Sequence, residues 1–482
     1  MTQSKPGRKT CHKENSIKNK RVTVMGLGLF GGGVGVAKYL ASQGADVMVT
    51  DLKNAEELSQ SLDLLDGLPI KYRFGRHDEN DFSNIDMLIV NPAVPNESRF
   101  LQIAKENGVG IDTELNIFFK LCPAPIIGVT GSNGKSTTTA LLGDMLKMDT
   151  GIKVWVGGNI GISLLEHIDE IKPDDMVVLE ISSFQLENLD RIKISPYISI
   201  VTNIAPNHLD RHKTMAGYVN AKKSIIRYQK KDGYAILNYD DIVLREWGDE
   251  CRGNVMWFSV AKELDQGAFV RNSEIVINYN SKSNAIPCLR NIKIKGIHNL
   301  QNVMAAACAA NIMCAGAEAI KNAIEKFPGL EHRLEFVRNI NGVEYYNDSK
   351  ATTPEAAIAG IRAFDRPLIL IAGGYDKGVS LEPFAQECIE NTKSVILIGK
   401  TAEKIRELIQ NTKGKRTIPE VHLASSLDES VRKACSMAEA GDVVLLSPAC
   451  ASYDMFANYE ERGKRFKELV YSIICHSSGI LP

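Results

Sequence analysis

The 482-residue chain is too long for one hydrophobic core, and about 100 to 200 residues per domain places two to four domains in it. Its 57 Lys and Arg against 58 Asp and Glu leave no net field to draw it to nucleic acid or to a charged membrane surface. No window of about 18 apolar residues argues for a membrane span, and ten cysteines without a CxxC pair point to reduced thiols and a cytoplasmic address.

Residues 1–20 form a basic arm in which Lys5, Arg8, Lys9, Lys13, Lys18 and Lys20 face one acid, Glu14, without the apolar stretch of a secretory signal. They are predicted to be a solvated, disordered tail. The strand "RVTVM" then runs into "GLGLFGGG", which matches G-x-G-x-x-G at Gly26, Gly28 and Gly31 ahead of a helix from Val34. Asp51 closes the next strand, "ADVMVTD". Glycines in such a turn let backbone N–H groups approach a diphosphate at a helix N-terminus. The pattern leaves open a nicotinamide dinucleotide and any other diphosphate.

After a third strand, "DMLIVNPA", the first block ends near "GVGIDTEL". The second opens with the strand "IIGVT" and the turn Gly131, Ser132, Asn133, Gly134, Lys135, Ser136, Thr137 before a helix. G-x-x-x-x-G-K-[ST] would require glycine at Val129, so the strict phosphate-loop pattern fails there. Its working part survives: two glycines, Lys135 for the β- and γ-phosphates, and Ser136 for Mg²⁺. Glu180 closes the strand "MVVLE", where a carboxylate is well placed to hold the metal. His208, in "TNIAPNHLDRH", follows the strand "ISIV", and Lys222, in "YVNAKKSII", lies on a predicted helix. Residues 249–290, rich in Gly, Asn and Ser with short strand-like pieces, are predicted to form an antiparallel flank.

The third block carries "GVEYYNDSKATTPEA", with Asp348, Lys350 and Thr352 after a strand, and "PLILIAGGYDKG", with Asp376 and Lys377 after another. The strands "SVILIGK" and "DVVLLSPA" follow. Apolar runs of four to six residues ending in Gly, Asp, Asn or Ser are those of parallel strands buried on both faces, so the fold class is α/β. Ligands of such sheets bind at the carboxyl ends of the strands.

In chain order, "TGSNGKST", "GGNIG", "LEISSFQLE", "NHLDRH", "GIHNLQN", "GLEHRLE", "NDSKATT", "GGYDKG" and "LLSPACASYDMF" resemble the Mur ligases, the ATP-dependent amide ligases of peptidoglycan precursor synthesis. The resemblance implies three domains: a Rossmann-like N-terminal domain at 21–112 for the UDP part of the substrate, a central P-loop ATPase domain with a mostly parallel sheet at 113–329, and a Rossmann-like C-terminal domain at 330–482 that brings the amino acid. It implies that D-glutamate is added to UDP-MurNAc-L-alanine in the cytoplasm through an acyl phosphate. Gly28, Leu29 and Phe30 are then expected to hold the diphosphate, Asp51 and Lys53 the uridine, and Asn159 and Gln185 the sugar-peptide. Lys135 steadies the phosphates, Ser136 and Glu180 hold a first Mg²⁺, and His208 holds a second. Lys222 matches the family's carbamoylated lysine. Asn299, Arg333 and Asp348 serve ATP, with His332 at the hinge region, and Lys350, Thr352, Lys377, Ser452 and Tyr459 form the D-glutamate pocket and hinge. "NPAVP" at 91–95 replaces the "SPGI" of many relatives, and Tyr459 replaces a frequent Phe. A monomer without nucleic-acid or membrane partners is expected. A folylpolyglutamate-type ligase, a dinucleotide-dependent dehydrogenase and a regulatory P-loop NTPase are the competing readings.

Overall fold

The computed structural model describes residues 17–28, 31–148, 151–160, 163–411 and 419–473, without the side chains of residues 209 and 210. Residues 1–16 of the basic arm, together with Leu29 and Phe30, lie outside the described residues. The chain divides into two compact units, Met1–Leu289 with Gln301–Ile324, and Arg290–Leu300 with Glu325–Pro482.

The first unit carries two sheets. Five parallel strands stand in the order Ile70–Phe74, Asp46–Asp51, Arg21–Met25, Met87–Val90, Gly110–Asp112. The order reverses direction at Arg21–Met25, which places the glycine-rich turn at the topological switch point where open α/β sheets bind ligands. The second sheet has nine strands, and its parallel part centres on Ile126–Thr130 between Met176–Glu180 and Ile198–Val201. All three strands are buried throughout, as their Val, Ile and Leu runs predict. The flank predicted at 249–290 is antiparallel only from Gly267–Arg271 through Glu274–Tyr279 to Lys282–Ile286. Its leading strand Asn254–Ser259 returns parallel to Tyr234–Asn238 through the helical crossover Ile242–Trp247, and it also pairs parallel with Gly267–Arg271.

One apolar cluster runs through both sheets of this unit. Val24, Leu27 and Leu40 join Phe118 of the helix Glu114–Leu121 and then Leu165, Val177 and Leu186. Phe118 is 1% exposed, and truncating a side chain so enclosed costs about 3–5 kcal/mol.

The second unit holds six strands in the order Glu335–Ile340, Val343–Asn347, Val443–Leu446, Leu368–Gly373, Ser394–Ile398, Glu420–Leu423, parallel except for the first pair. Helices cover both faces over two apolar cores. Among the described residues, no helix is long and apolar enough to cross a membrane, and the eight cysteines are free thiols.

Candidate active site

The strand Ile126–Thr130 feeds the turn 131–134 and the helix Lys135–Lys147. Gly134 caps that helix with φ of 82°, a left-handed conformation that costs a side-chain-bearing residue, and a Cβ there would collide with Asn302. The turn is tied down from the end of the next strand. Ser132 N donates to Asn203 O at 2.9 Å, Asn133 N donates to Asn203 Oδ1 at 2.9 Å, and Thr202 Oγ1 donates to Asn133 O at 2.5 Å. Ser132 Oγ also donates to Ala205 O at 2.8 Å and lies 2.9 Å from the Tyr218 hydroxyl. Ser132 and Asn133 thus spend their N–H groups on Asn203 to hold the loop, and the helix Lys135–Lys147 begins directly behind it with the positive end of its dipole.

Two lysines converge on this loop. Lys135 Nζ donates to Gly131 O and Ser132 O, each at 3.0 Å, and Lys222 Nζ donates to Gly131 O at 2.8 Å and Thr130 Oγ1 at 3.3 Å. Lys222 is 2% exposed. Its burial, reinforced by the Lys135 charge and opposed by Glu180, holds its pKa well below the usual lysine range. Glu180, 3% exposed, accepts from Asn159 Nδ2 at 3.0 Å through Oε1, while its buried Oε2 has no partner among the described residues. Sequence reasoning placed Lys135, Lys222 and Glu180 in one site, and the fold brings them together; Asn159, expected at the sugar-peptide, bonds Glu180 in the same place. His208 is exposed, has a φ of 53°, and meets Phe184 edge-on with ring centroids 5.0 Å apart.

The Asp51 carboxylate accepts from Gly28 N at 3.2 Å and from Lys53 N at 3.0 Å, which binds the glycine-rich turn to the end of the second strand. Gln185 lines a cavity of about 50 Å³ with Gly26, Gly32, Gly33, Asn91 and Glu114. Its Oε1 accepts from Ser182 N at 2.9 Å in a capping box that starts the helix Ser183–Ile192. Asn91 of "NPAVP" donates from Nδ2 to Gly26 O at 3.3 Å, joining that loop to the glycine turn. Burial pushes Glu114 up to about 7, against a hydrogen bond of 2.7 Å from Ser163 Oγ.

In the second unit, Asp348 is 5% exposed, and burial pushes it up to about 7 while Ser447 Oγ, 2.8 Å away, and the charges of Arg333 and Arg462 pull it down. Lys350 Nζ lies 5.5 Å from the centre of the Tyr459 ring, which meets the His332 ring edge-on at 6.1 Å. Lys350 N donates to His332 O at 3.0 Å, and Thr352 N to Lys350 O at 2.9 Å. Buried Asn299 donates to Lys295 O at 2.7 Å. Exposed Lys377 belongs to a segment that Tyr375 ties to Ala451, next to buried Ser452. Lys350, Tyr459 and His332 therefore cluster, and Lys377 and Ser452 lie beyond the carboxyl ends of the neighbouring strands Leu368–Gly373 and Val443–Leu446.

Sequence reasoning missed Thr202, Asn203, Tyr218 and Asn302, which bond or pack against the loop, and His212, which packs against Tyr218. Thr202 and Asn203 close the strand Ile198–Val201, so the rule of strand-terminal polar residues could have found them.

Three family descriptions match along the chain: "Mur ligase MurD-like, N-terminal domain" at 20–112, "Mur ligase middle domain" at 129–310, and "Mur ligase, glutamate ligase domain" at 332–450. A relative from Acetivibrio thermocellus named UDP-N-acetylmuramoylalanine–D-glutamate ligase is 42% identical, covering 95% of this chain and 98% of its own. One of the same name from Roseiflexus sp. is 43% identical, covering 95% and 99%. Among solved structures, a UDP-N-acetylmuramate–alanine ligase from Thermotoga maritima superposes with a TM-score of 0.60 at 21% identity, covering 94% of this chain and all of its own. A pseudomurein peptide ligase type C from Methanothermus fervidus gives the same score at 20% identity, covering 94% and 99%, and both show the same fold. With these matches running in order over nearly its whole length, the chain belongs to the Mur ligase family.

Proposed function

We propose that the chain joins D-glutamate to UDP-N-acetylmuramoyl-L-alanine, using ATP, in the cytoplasmic synthesis of a peptidoglycan precursor. The observation that carries this reading is the convergence of Lys135, Lys222 and Glu180 on a preorganised phosphate loop, in a chain whose relatives at 42–43% identity bear that enzyme's name. A carboxylate does not accept an amine until one of its oxygens is made a good leaving group. The γ-phosphoryl group therefore passes to the free carboxylate of the substrate's L-alanine, giving an acyl phosphate. The amine of D-glutamate attacks that carbonyl carbon, and the tetrahedral adduct collapses to the amide with loss of phosphate and a proton.

Residues 131–137 cradle the β- and γ-phosphates, with the Lys135 ammonium neutralising charge that develops on transfer. The donors suit Mg²⁺: the Ser136 hydroxyl, Glu180 Oε2, which has no partner among the described residues, and the exposed His208 imidazole. Among the described residues, no three His, Cys, Asp or Glu side chains cluster to hold a metal, and in this reading nucleotide phosphates and a modified Lys222 add donors to the set. Bound Mg²⁺ supplies charge neutralisation to the phosphates. Lys222 is suited to carbamoylation because burial favours its neutral amine. The nitrogen lone pair adds to the carbon of CO₂, one C=O π bond becomes a carboxylate oxygen, and the ammonium proton is released.

Gly28, Leu29, Phe30, Asp51 and Lys53 are assigned to the UDP moiety, and Asn159 and Gln185 to the sugar-peptide. Asn299, Arg333 and Asp348 are assigned to ATP, and Lys350, Thr352, Lys377, Ser452 and Tyr459 to D-glutamate. The domains divide at 112/113 and 329/330, and the protein acts as a monomer.

The test is phosphate release with ATP and Mg²⁺, comparing D- with L-glutamate in the presence and absence of UDP-MurNAc-L-alanine. Release is expected only with the UDP-sugar and D-glutamate together. Release that ignores the UDP-sugar would overturn the substrate assignment.

A further inference from the structure

His212 is a buried group that neither the phosphate loop nor the assigned metal ligands use. Its Nε2 lies 2.9 Å from Ser183 Oγ and its Nδ1 3.2 Å from Glu187 Oε1. Both partners sit on the helix Ser183–Ile192, four residues apart and so on one face. A carboxylate only accepts, so Nδ1–H donates to Glu187 and Nε2 accepts the Ser183 hydroxyl proton. The order Ser–His–carboxylate is that of a hydrolase relay. Ser183 is only 3% exposed, however, and offers no approach to a substrate carbonyl. The chain of hydrogen bonds instead fixes one imidazole in place.

What that imidazole touches gives the arrangement its meaning. It stacks on Phe184, with centroids 5.3 Å apart and planes at 21°. Phe184 in turn meets His208 at 5.0 Å and carries the Arg211 guanidinium 4.3 Å above its ring. The backbone repeats the link, since His212 N donates to His208 O at 3.0 Å. His208 holds a φ of 53°, a left-handed conformation that a non-glycine residue keeps only where its surroundings dictate it. On its other side His212 meets Tyr218 at 5.3 Å, whose hydroxyl bonds Ser132 of the phosphate loop and whose ring lies 4.9 Å from Lys222 Nζ.

We propose that His212 is a positioning residue for the ligase reaction: anchored by Ser183 and Glu187, it fixes the short helix Leu209–His212 and thereby the place of the His208 imidazole. The proposal rests on the assignment of His208 made above.

The experiment is a double-mutant cycle on phosphate release with His212→Phe and His208→Ala. Phenylalanine keeps the stacking surface and removes both hydrogen bonds. His212→Phe is expected to lower kcat by about 10-fold or more, to leave the KM values for ATP and UDP-sugar within about twofold, and to cost nothing further once His208 is Ala. An unchanged kcat, or an equal loss in both backgrounds, would overturn the proposal. Glu187→Ala removes the more exposed anchor and serves as the second variant should His212→Phe fail to fold; a kcat loss in the same direction is expected. A third arm uses no activity. In protein labelled with ¹⁵N-histidine, whose His208 signal is assigned by its loss in His208→Ala, His212→Phe should shift the His208 imidazole resonances, and unmoved resonances overturn the proposal. If the wild-type protein releases no phosphate, the assigned reaction falls while this spectrum still decides the role of His212.

Discussion

The two glycine-rich turns of the first unit start alike and end differently. Each leaves a buried parallel strand and enters a helix, Gly32–Ser42 in one case and Lys135–Lys147 in the other. At the first turn the carboxylate of Asp51 is the charged partner, and Gly28 N–H is given to it. At the second, two lysines close on the backbone carbonyls, and residues 202, 203 and 218 lock the loop from outside. On the proposed assignment, the contrast separates holding a phosphate from moving one. Backbone N–H groups suffice for the first task, whereas transfer needs cations placed where charge develops.

The comparison breaks most severely at the second turn. Lys135→Ala is expected to lower turnover by about 10²-fold or more, read as phosphate release at saturating substrates. Near-normal turnover would mean that the two turns do not differ in this way. Lys222→Ala should abolish activity, with partial return on adding short carboxylic acids that stand in for a carbamate. An unaffected variant, or one that no acid restores, would remove the carbamate from the mechanism. At the first turn, Asp51→Ala should raise the KM for the UDP-sugar by about 10-fold with kcat nearly unchanged, as expected for uniform binding. A fall in kcat alone would contradict the assignment of this turn to holding.

The smallest expected effect concerns the support of the first turn's helix. Ser163, which a Cβ at Gly35 of that helix would strike, donates to Glu114, whose pKa of about 7 lies above the 4.3 of a free Glu. Between those values the native state binds the proton more tightly than the unfolded chain, so this group's contribution to stability falls as pH rises from about 4 to about 7 and stays low above. Glu114→Gln removes the penalty. It should raise stability at pH 8 by on the order of 2 kcal/mol and change little at pH 4, read as Tm across a pH series. An equal effect at both pH values would show that the carboxylate is not buried in its charged form.

What the sequence made legible follows from burial. The strands Arg21–Met25, Ile126–Thr130 and Leu368–Gly373 are covered on both faces and read as continuous apolar runs. Ile70–Phe74, Val154–Gly158 and Glu420–Leu423 each stand at the edge of a sheet, carry Lys, Arg, Gly or His, and lack that signature. The site divides in the same way. Glu180 was readable because it closes a buried strand, and Lys135 because a glycine-rich turn carries such a strand into the helix that it opens. His212 and Asn302 were not, since each acts through a side chain from another part of the sequence, and nothing local marks such a contact.

The apolar cluster that joins the first two sheets carries a consequence for how this chain comes apart. Because Leu40, Phe118 and Leu165 share one interior, opening the second sheet strips one whole face of the five-stranded sheet and leaves it only the small cluster of Phe82, Leu88, Leu101 and Ala104 on the other. Calorimetry of a fragment ending at residue 324 should therefore show one cooperative transition spanning both sheets, and a fragment cut at residue 112 would leave the faces of Leu40 and Val36 wet and prone to aggregate.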